Sequence, residues 1–192
     1  MQNPAAADAE LIQIVDAALA NAAERSGDWL ACRPGCSQCC VGIFPISQLD
    51  AARLQAGFGE ADHPTQKRIA LRVEQSLMAV AQDWPGDFAS GLLDEQAANF
   101  DDFANDVVCP VLDPITGTCD LYSARPMTCR TFGPPVQNDD GSLGVCELCF
   151  LGAPESAVTA AEMNVDFLTD ENRLSSDLGT DSTTVAHALR NL

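Results

Sequence analysis

Four of the nine cysteines in this chain stand close together, at Cys32, Cys36, Cys39 and Cys40. The two-residue gap between Cys36 and Cys39 lets a tight turn bring two thiolates to one metal centre, as in zinc and iron–sulfur sites. The adjacent Cys39 and Cys40 should direct their side chains apart on either a strand or a helix. We therefore expect this pair to serve different centres, or different corners of one large cluster. The segment predicts half of a polynuclear metal site.

The other five cysteines form a second block, separated from the first by the cysteine-free residues 41–108. They are Cys109, Cys119, Cys129, Cys146 and Cys149. We expect the helices between the blocks to act as a scaffold that folds the second block back onto the first. Because thiolate-rich centres usually take four sulfurs each, eight sulfurs would fill two centres, or one cluster and a separate ion. One thiol is then left over, and its position in the chain indicates Cys146 or Cys149.

The length, hydropathy and net charge of the chain limit the classes of protein to which it can belong. With 192 residues and a mean hydropathy near zero, the chain is expected to be one soluble domain with an ordinary core. Its 28 acidic residues against 10 basic ones give a formal charge of −18. This balance argues against nucleic-acid partners and anionic membranes, which both need clustered basic residues.

The cysteines are expected to stay reduced. The chain shows no signal peptide and no apolar run long enough to cross a bilayer, so we expect a cytoplasmic protein. Cysteine clusters in that compartment usually bind metal, and an odd number of cysteines suits a disulfide framework poorly.

Apolar periodicity predicts the elements that must position the cysteines. Helices are expected over residues 5–26, 48–56 and 65–84, with Ser47 as the N-cap of the second and Gly57 as its end. Residues 59–64 read as a linker, and a further helix is expected within residues 87–106.

The sequence changes character from Val107 onward. A β-branched run and the turn at 113–117 predict a hairpin with a long loop. Pro126 suits the first position of a helical turn, which would place Cys129 near the N-terminus of that turn and favour its thiolate. A last helix is expected over 182–191, after the cap Asp181.

These elements predict a mainly α fold with a small β-hairpin and an irregular cysteine-rich region, stabilised by metal. We expect a metal-binding domain over residues 1–152, made of a helical scaffold and the cysteine clusters at 32–40 and 109–149. A helical C-terminal extension is expected over residues 153–192.

The order of the cysteines resembles one known family. The chain carries Cys36-x2-Cys39-Cys40 preceded by Cys32, then C-P-x-L from Cys109, C-x-x-Y from Cys119, and R-P-x-x-C-R-x-F from Arg125. This order, running from residue 32 to 149, resembles the CxxCxxCC (YkgJ-like) cysteine-cluster family. That family is described as zinc- or iron-chelating proteins and as predicted iron–sulfur proteins, so the resemblance implies metal chelation.

The chain departs from the family pattern at two places. Three residues separate Cys32 from Cys36 rather than two, and Cys146-x2-Cys149 supplies an extra thiol. Flagellin lysine-methylating members of the family look longer than this chain, so methylation is not carried over.

Three polar residues are candidates for contacts around the metal ligands. Arg125 and Arg130 flank Cys129, although the chain has few basic residues. A centre with four thiolates carries a charge of about −2, which nearby guanidinium groups would offset while tuning its redox potential. Alternatively, Arg125 anchors the turn against a carboxylate. Tyr122, the only tyrosine, either donates a hydrogen bond near the site or serves as a core aromatic.

The sequence leads to one main hypothesis and two alternatives. The main hypothesis is a protein that holds an iron–sulfur cluster or zinc through converging thiolates and acts in redox chemistry or metal handling, with an unidentified protein or redox partner. We favour a [4Fe–4S]-type cluster over zinc because adjacent cysteines and a scattered second block suit a bulky cluster. The alternatives are a structural zinc module that recruits a protein, and a metal-dependent enzyme with one open coordination position.

Overall fold

A computed structural model describes residues 4–138 and 141–192 of the chain. Within these residues seven α-helices and six short strands follow one another. The helices are α1 (Pro4–Ser26), α2 (Gln48–Glu60), α3 (His63–Val80), α4 (Met127–Thr131), α5 (Glu155–Ala160), α6 (Leu168–Ser176) and α7 (Val185–Ala188). The strands are β1 (Gly86–Asp87), β2 (Leu92–Leu93), β3 (Leu112–Asp113), β4 (Thr118–Cys119), β5 (Val136–Gln137) and β6 (Leu143–Gly144).

The strands pair only as three antiparallel hairpins, β1–β2, β3–β4 and β5–β6. The predicted fold class, mainly α with a small β region, is therefore confirmed. None of the described helices combines the length and the apolar character that a membrane span requires.

The chain divides into two compact units, each built from two separate segments. The first unit takes the described residues within Met1–Arg33 together with those within Thr128–Asp177, and the second takes Pro34–Met127 with Leu178–Leu192. The predicted boundary at residue 152 remains a prediction, and the segment that follows it contributes to both units.

The first unit is assembled on the long helix α1, which confirms the helix predicted over 5–26. Leu11, Val15 and Ala22 are buried on the face of α1 that packs against α5 and α6, as the helical spacing of the apolar residues requires. A second small core in this unit includes Cys146, Cys149, Phe150 and Ala161. Two cysteines of the second block are thus buried inside the unit.

The second unit packs α2, α3 and α7 around one apolar core that includes Leu54, Ile69 and Val185. The helix ends are fixed by side chains that accept hydrogen bonds from backbone N–H groups left without a partner in the helix. The Ser47 hydroxyl accepts from Asp50 N at 3.1 Å, as the sequence predicts, and Asp62 accepts from Thr65 N at 2.7 Å.

The predicted end of α2 at Gly57 is wrong, because the helix continues to Glu60. A β-carbon placed on Gly57 would lie 2.4 Å from the β-carbon of Ala124. The glycine therefore permits close packing between α2 and the segment around Ala124, and it does not stop the helix. The predicted linker over 59–64 is also wrong, since α3 begins at His63 directly after its cap Asp62.

The predicted helix within 87–106 is absent from the described structure, where the hairpin β1–β2 and a series of turns occupy this segment. These turns are closed by hydrogen bonds from a backbone N–H to the carbonyl three residues earlier. The last of them runs from Val107 N to Ala104 O at 3.1 Å. Ala104 has a positive φ of 53°, which no right-handed helix accepts. Phe103 is nevertheless buried, with its ring edge-on to Trp84.

The end of α3 and both ends of the last helix also differ from prediction. Helix α3 ends at Val80 rather than at residue 84. The last helix is α7, Val185–Ala188, and its cap is Thr184 rather than Asp181, because the Thr184 hydroxyl accepts a hydrogen bond from His187 N at 3.2 Å.

Candidate metal centres

In the second unit, backbone hydrogen bonds join the two cysteine blocks. Cys109 N donates to Cys40 O at 2.8 Å, and Val41 and Val108 form an isolated antiparallel bridge beside this bond. Val41 and Val108, at the two ends of the cysteine-free interval, are thus neighbours in a short antiparallel pairing.

The hairpin β3–β4 brings another cysteine to the same region. Cys119 pairs with Leu112, and Leu112 N donates to Cys109 O at 3.1 Å. The turn of this hairpin lies against the loop that precedes Cys36, since a β-carbon on Gly117 would lie 3.1 Å from Gly35 O. Five cysteines belong to this unit, namely Cys36, Cys39, Cys40, Cys109 and Cys119.

The side chains of Cys39 and Cys40 do not diverge as the sequence suggests. A hydrogen bond from the Cys40 side chain is the main cause that lowers the pKa of Cys39 to about 6, and the positive charge of Arg125 lowers it further. The two residues lie in a short 3₁₀ helix, Gln38–Cys40. Contact between the two side chains favours corners of one centre over service to different centres.

Burial disfavours the thiolate forms of Cys109 and Cys119. Burial raises the pKa of Cys109 to about 12, and the proximity of the ionisable thiols of Cys119 and Cys39 adds to this increase. Burial also raises the pKa of Cys119. Because only thiolates are strong metal ligands, binding of a metal to these two cysteines must release their protons.

Arg72 of α3 is a neighbour of this cysteine group that sequence reasoning missed. Its guanidinium donates to Pro110 O at 2.7 Å and forms an ion pair with Asp120, so it contacts the residue that follows Cys109 and the residue that follows Cys119. Arg68, one turn earlier, lies 3.8 Å from the Asp120 carboxylate. The signal in the sequence was two arginines four residues apart in a chain with few bases.

Replacing Arg72 with methionine is expected to lower the free energy of unfolding by about 2 kcal/mol, because hydrogen bonds from a charged group to the Pro110 carbonyl and the Asp120 carboxylate are lost. Arg173 provides a matched control, since its ion pair with Asp170 joins two side chains that are both more than half exposed. Arg173→Met should change the free energy by less than about 0.5 kcal/mol. Urea unfolding of both variants measures the difference, and equal small effects would contradict the role given to Arg72.

In the first unit, the segments around residues 29–32, 133 and 146–150 meet. Phe150 N donates to Trp29 O at 2.8 Å, and Ala31 N donates to the sulfur of Cys149 at 3.4 Å. Backbone N–H donors of this kind stabilise a thiolate ligand, and they tune the metal that it holds.

Gly133 makes room for Cys32 in the same unit. A β-carbon on Gly133 would lie 2.7 Å from the Cys32 sulfur, and the φ of +126° at this position suits only glycine. Cys146 N donates a hydrogen bond to Gly133 O at 3.5 Å. Cys129 is the third residue of α4, a helical turn that begins at Met127 rather than at the predicted Pro126. The four cysteines of this unit are Cys32, Cys129, Cys146 and Cys149.

The three polar candidates have different surroundings. Arg130 is almost fully buried, and its guanidinium donates to the Asp16 carboxylate at 2.6 Å. The guanidinium of Arg125 lies 4.0 Å from the centre of the Tyr122 ring and donates to Tyr122 O at 3.0 Å. Tyr122 is 62% exposed, so the alternative of a core aromatic is wrong. A role for these residues around a metal centre remains a prediction.

The cysteine thiols are suitable metal ligands, although in this structure they are not close enough together to bind a metal ion. Among the described residues, no three His, Cys, Asp or Glu side chains form a group close enough to hold a metal ion. All nine cysteines are free thiols. A set of thiols alone suits zinc or iron–sulfur clusters, and a cysteine side chain reorients by rotation about a single bond. The residue types therefore fit such a centre, and the loose groups would have to close around it.

Comparison with known proteins agrees with the cysteine pattern. A family model for the CxxCxxCC domain, described as "Putative zinc- or iron-chelating domain", matches residues 31–149. This range contains all nine cysteines and parts of both units. A search of curated proteins and a search of solved structures each returned no match.

Proposed function

The chain belongs to this CxxCxxCC family, and from that membership we propose that it holds two thiolate metal centres, one in each compact unit. The observation that carries the proposal is the distribution of the cysteines. The first unit contains four of them and the second contains five, and four thiolates complete a zinc site or an iron–sulfur cluster.

The proposed ligands of the first centre are Cys32, Cys129, Cys146 and Cys149. Both Cys146 and Cys149 are needed for this centre. The surplus thiol is therefore neither of these two, and we assign it to the cysteines of the second unit. There, four of the five cysteines bind the second centre. Cys109 belongs to that set, because its backbone is tied to Cys40 and its pKa responds to the charges of Cys39 and Cys119.

Redox chemistry or metal handling is the proposed role, in the reducing cytoplasm where thiolates persist. We retain the preference for an iron–sulfur cluster of the [4Fe–4S] type over zinc. The positive charge of Arg125, which acts on both Cys39 and Cys119, would offset the negative charge of either kind of centre.

A structural zinc module is the second candidate, and the small core of the first unit favours it. Cys146 and Cys149 are buried members of that core beside Phe150 and Ala161. A metal bound by these two cysteines would contribute directly to the folding of the unit, as structural zinc does.

Metal analysis of anaerobically purified full-length protein tests the proposal. We expect zinc or iron at a stoichiometry that fills two centres, with brown colour and absorbance near ~400 nm for iron–sulfur clusters and a colourless protein for zinc. Protein that contains no bound metal and nine thiols reactive toward a thiol reagent would refute it. A brown protein would exclude the structural zinc module, because zinc–thiolate sites are colourless.

A further inference from the structure

An open cavity of about 190 Å³ lies in the second unit, and no cysteine belongs to its lining. Apolar residues provide most of that lining, namely residues 43–45, Leu93, Phe100 and Phe103. An apolar cavity of about 150 Å³ inside a protein is large enough to bind benzene. This cavity therefore has room for an apolar group about the size of one aromatic ring.

Backbone hydrogen bonds hold the two walls of the cavity together. Gly42 N donates to Val107 O at 3.0 Å, and Ile43 N donates to Ala104 O at 3.2 Å. Phe103, on the wall opposite Ile43, is buried. The cavity is thus formed before any ligand binds, and a pre-formed site loses less entropy on binding.

Two exposed polar residues, Asp101 and Asn105, complete the lining. The side-chain amide of Asn105 donates to the backbone carbonyl of Asp101 at 3.0 Å. Within residues 4–138 and 141–192, neither the Asp101 carboxylate nor the side-chain oxygen of Asn105 makes a hydrogen bond or an ion pair. Two acceptors are therefore available to a ligand, and one of them carries a full negative charge.

The charge of the surrounding segment favours a cation. Residues 73–124 contain no lysine, arginine or histidine, whereas acidic residues occur throughout and include Asp102 and Asp106 beside the cavity lining. Arg190, from outside this segment, already donates to Phe88 O at 3.2 Å. A region lined by one sign of charge concentrates ligands of the opposite sign. Anionic ligands are accordingly disfavoured at this cavity.

We propose that the cavity binds a small organic amine in its ammonium form, with an apolar body about the size of a benzene ring. The body contacts the apolar lining, where phenylalanine rings also attract a nearby cation. The ammonium N–H groups donate to the Asp101 carboxylate and to the side-chain oxygen of Asn105. Because Asp101 is exposed, its ion pair selects the charge of the ligand and adds only modestly to affinity. This site goes beyond the proposed metal function and does not require it.

Titration of the purified full-length protein, followed by NMR, tests the inference with benzylammonium as the probe and benzyl alcohol as a neutral control of similar shape. Benzylammonium should bind with a dissociation constant of about 1 mM, and benzyl alcohol about fivefold more weakly. The backbone amide signals that shift should be those of residues 43–45, 93 and 100–105. A response confined to other residues would overturn the inference.

Asp101→Asn should weaken benzylammonium binding about fivefold and leave benzyl alcohol binding unchanged. The matched control is Asp102→Asn, which removes the same charge from a neighbouring exposed residue outside the lining and should change either affinity by less than about twofold. Leu93→Phe, which fills the cavity, should abolish the binding of both probes.

Equal affinity of the wild type for the two probes would show an unselective apolar pocket and overturn the inference. Equal effects of Asp101→Asn and Asp102→Asn would assign the selectivity to the general acidity of the chain and would also overturn it. A pocket covered by a second copy of the chain would appear as a dimer in sedimentation that does not bind the amine, which would likewise refute the site. None of these outcomes bears on the metal content, so the proposed function is tested separately.

Discussion

Replacing Cys149 with serine is expected to remove about half of the bound metal, because the first unit then keeps only three of the four thiolates that a closed site needs. Cys149 is buried, and its sulfur accepts a hydrogen bond from Ala31 N. The first unit contains no other cysteine that could replace it. Metal analysis of the purified variant measures the loss, and the remaining metal should keep its all-sulfur spectrum.

The five cysteines of the second unit provide the matched controls. The double variant Cys109→Ser, Cys119→Ser leaves three thiols in the second unit and should also remove about half of the metal. Adding Cys149→Ser should leave almost none, because neither unit then keeps four thiolates. Of the five single serine variants, one should retain the full metal content, since that unit has a surplus thiol. If Cys149→Ser emptied both centres, or if the double variant kept its metal, the assignment of one centre to each unit would be wrong.

Replacing Gly133 with alanine is expected to lower the free energy of unfolding by about 3 kcal/mol, a fall in Tm of about 10 °C for a chain of this size. Two causes combine. The φ of +126° strains any residue with a β-carbon, and the new methyl group would meet the Cys32 sulfur at 2.7 Å. Because Cys32 must shift, the variant should also lose the metal of the first unit.

Replacing Gly27 with alanine separates the effect of backbone strain from the effect of the contact with Cys32. Its φ is +51°, and a β-carbon there would have no heavy atom within 4 Å. Gly27→Ala should therefore cost about 1 kcal/mol from backbone strain and leave the metal content unchanged. Thermal melting and metal analysis of both variants make the comparison. Equal losses, or a Gly133→Ala protein with full metal content, would show that the contact with Cys32 is unimportant.

Much of the local structure could be predicted from the sequence. Helix α1 and the cap Ser47 follow from apolar spacing and side-chain chemistry, which act over a few residues. The hairpin β3–β4 follows from a turn sequence between β-branched residues. The cysteine spacing indicated a metal site and the family match agrees with it, because ligand type and order are written directly in the chain.

The remaining features depend on contacts between distant residues. Gly57 looks like a helix stop until Ala124 is seen against it. Cys32 belongs to the first unit and Cys36 to the second, so the boundary between the units lies within the first block of cysteines. Arg72 could not be placed beside Cys109 from its own neighbours in sequence. Long-range packing decides all three, and periodicity carries no information about it.

X-ray absorption at the metal edge of the purified full-length protein tests the central claim most directly. If two centres of four thiolates are present, every metal should have about four sulfur neighbours at about 2.3 Å for zinc, or sulfur and iron neighbours for a cluster. A first shell dominated by nitrogen or oxygen at about 2.0–2.2 Å would mean that the cysteines are not the ligands, and it would contradict the account.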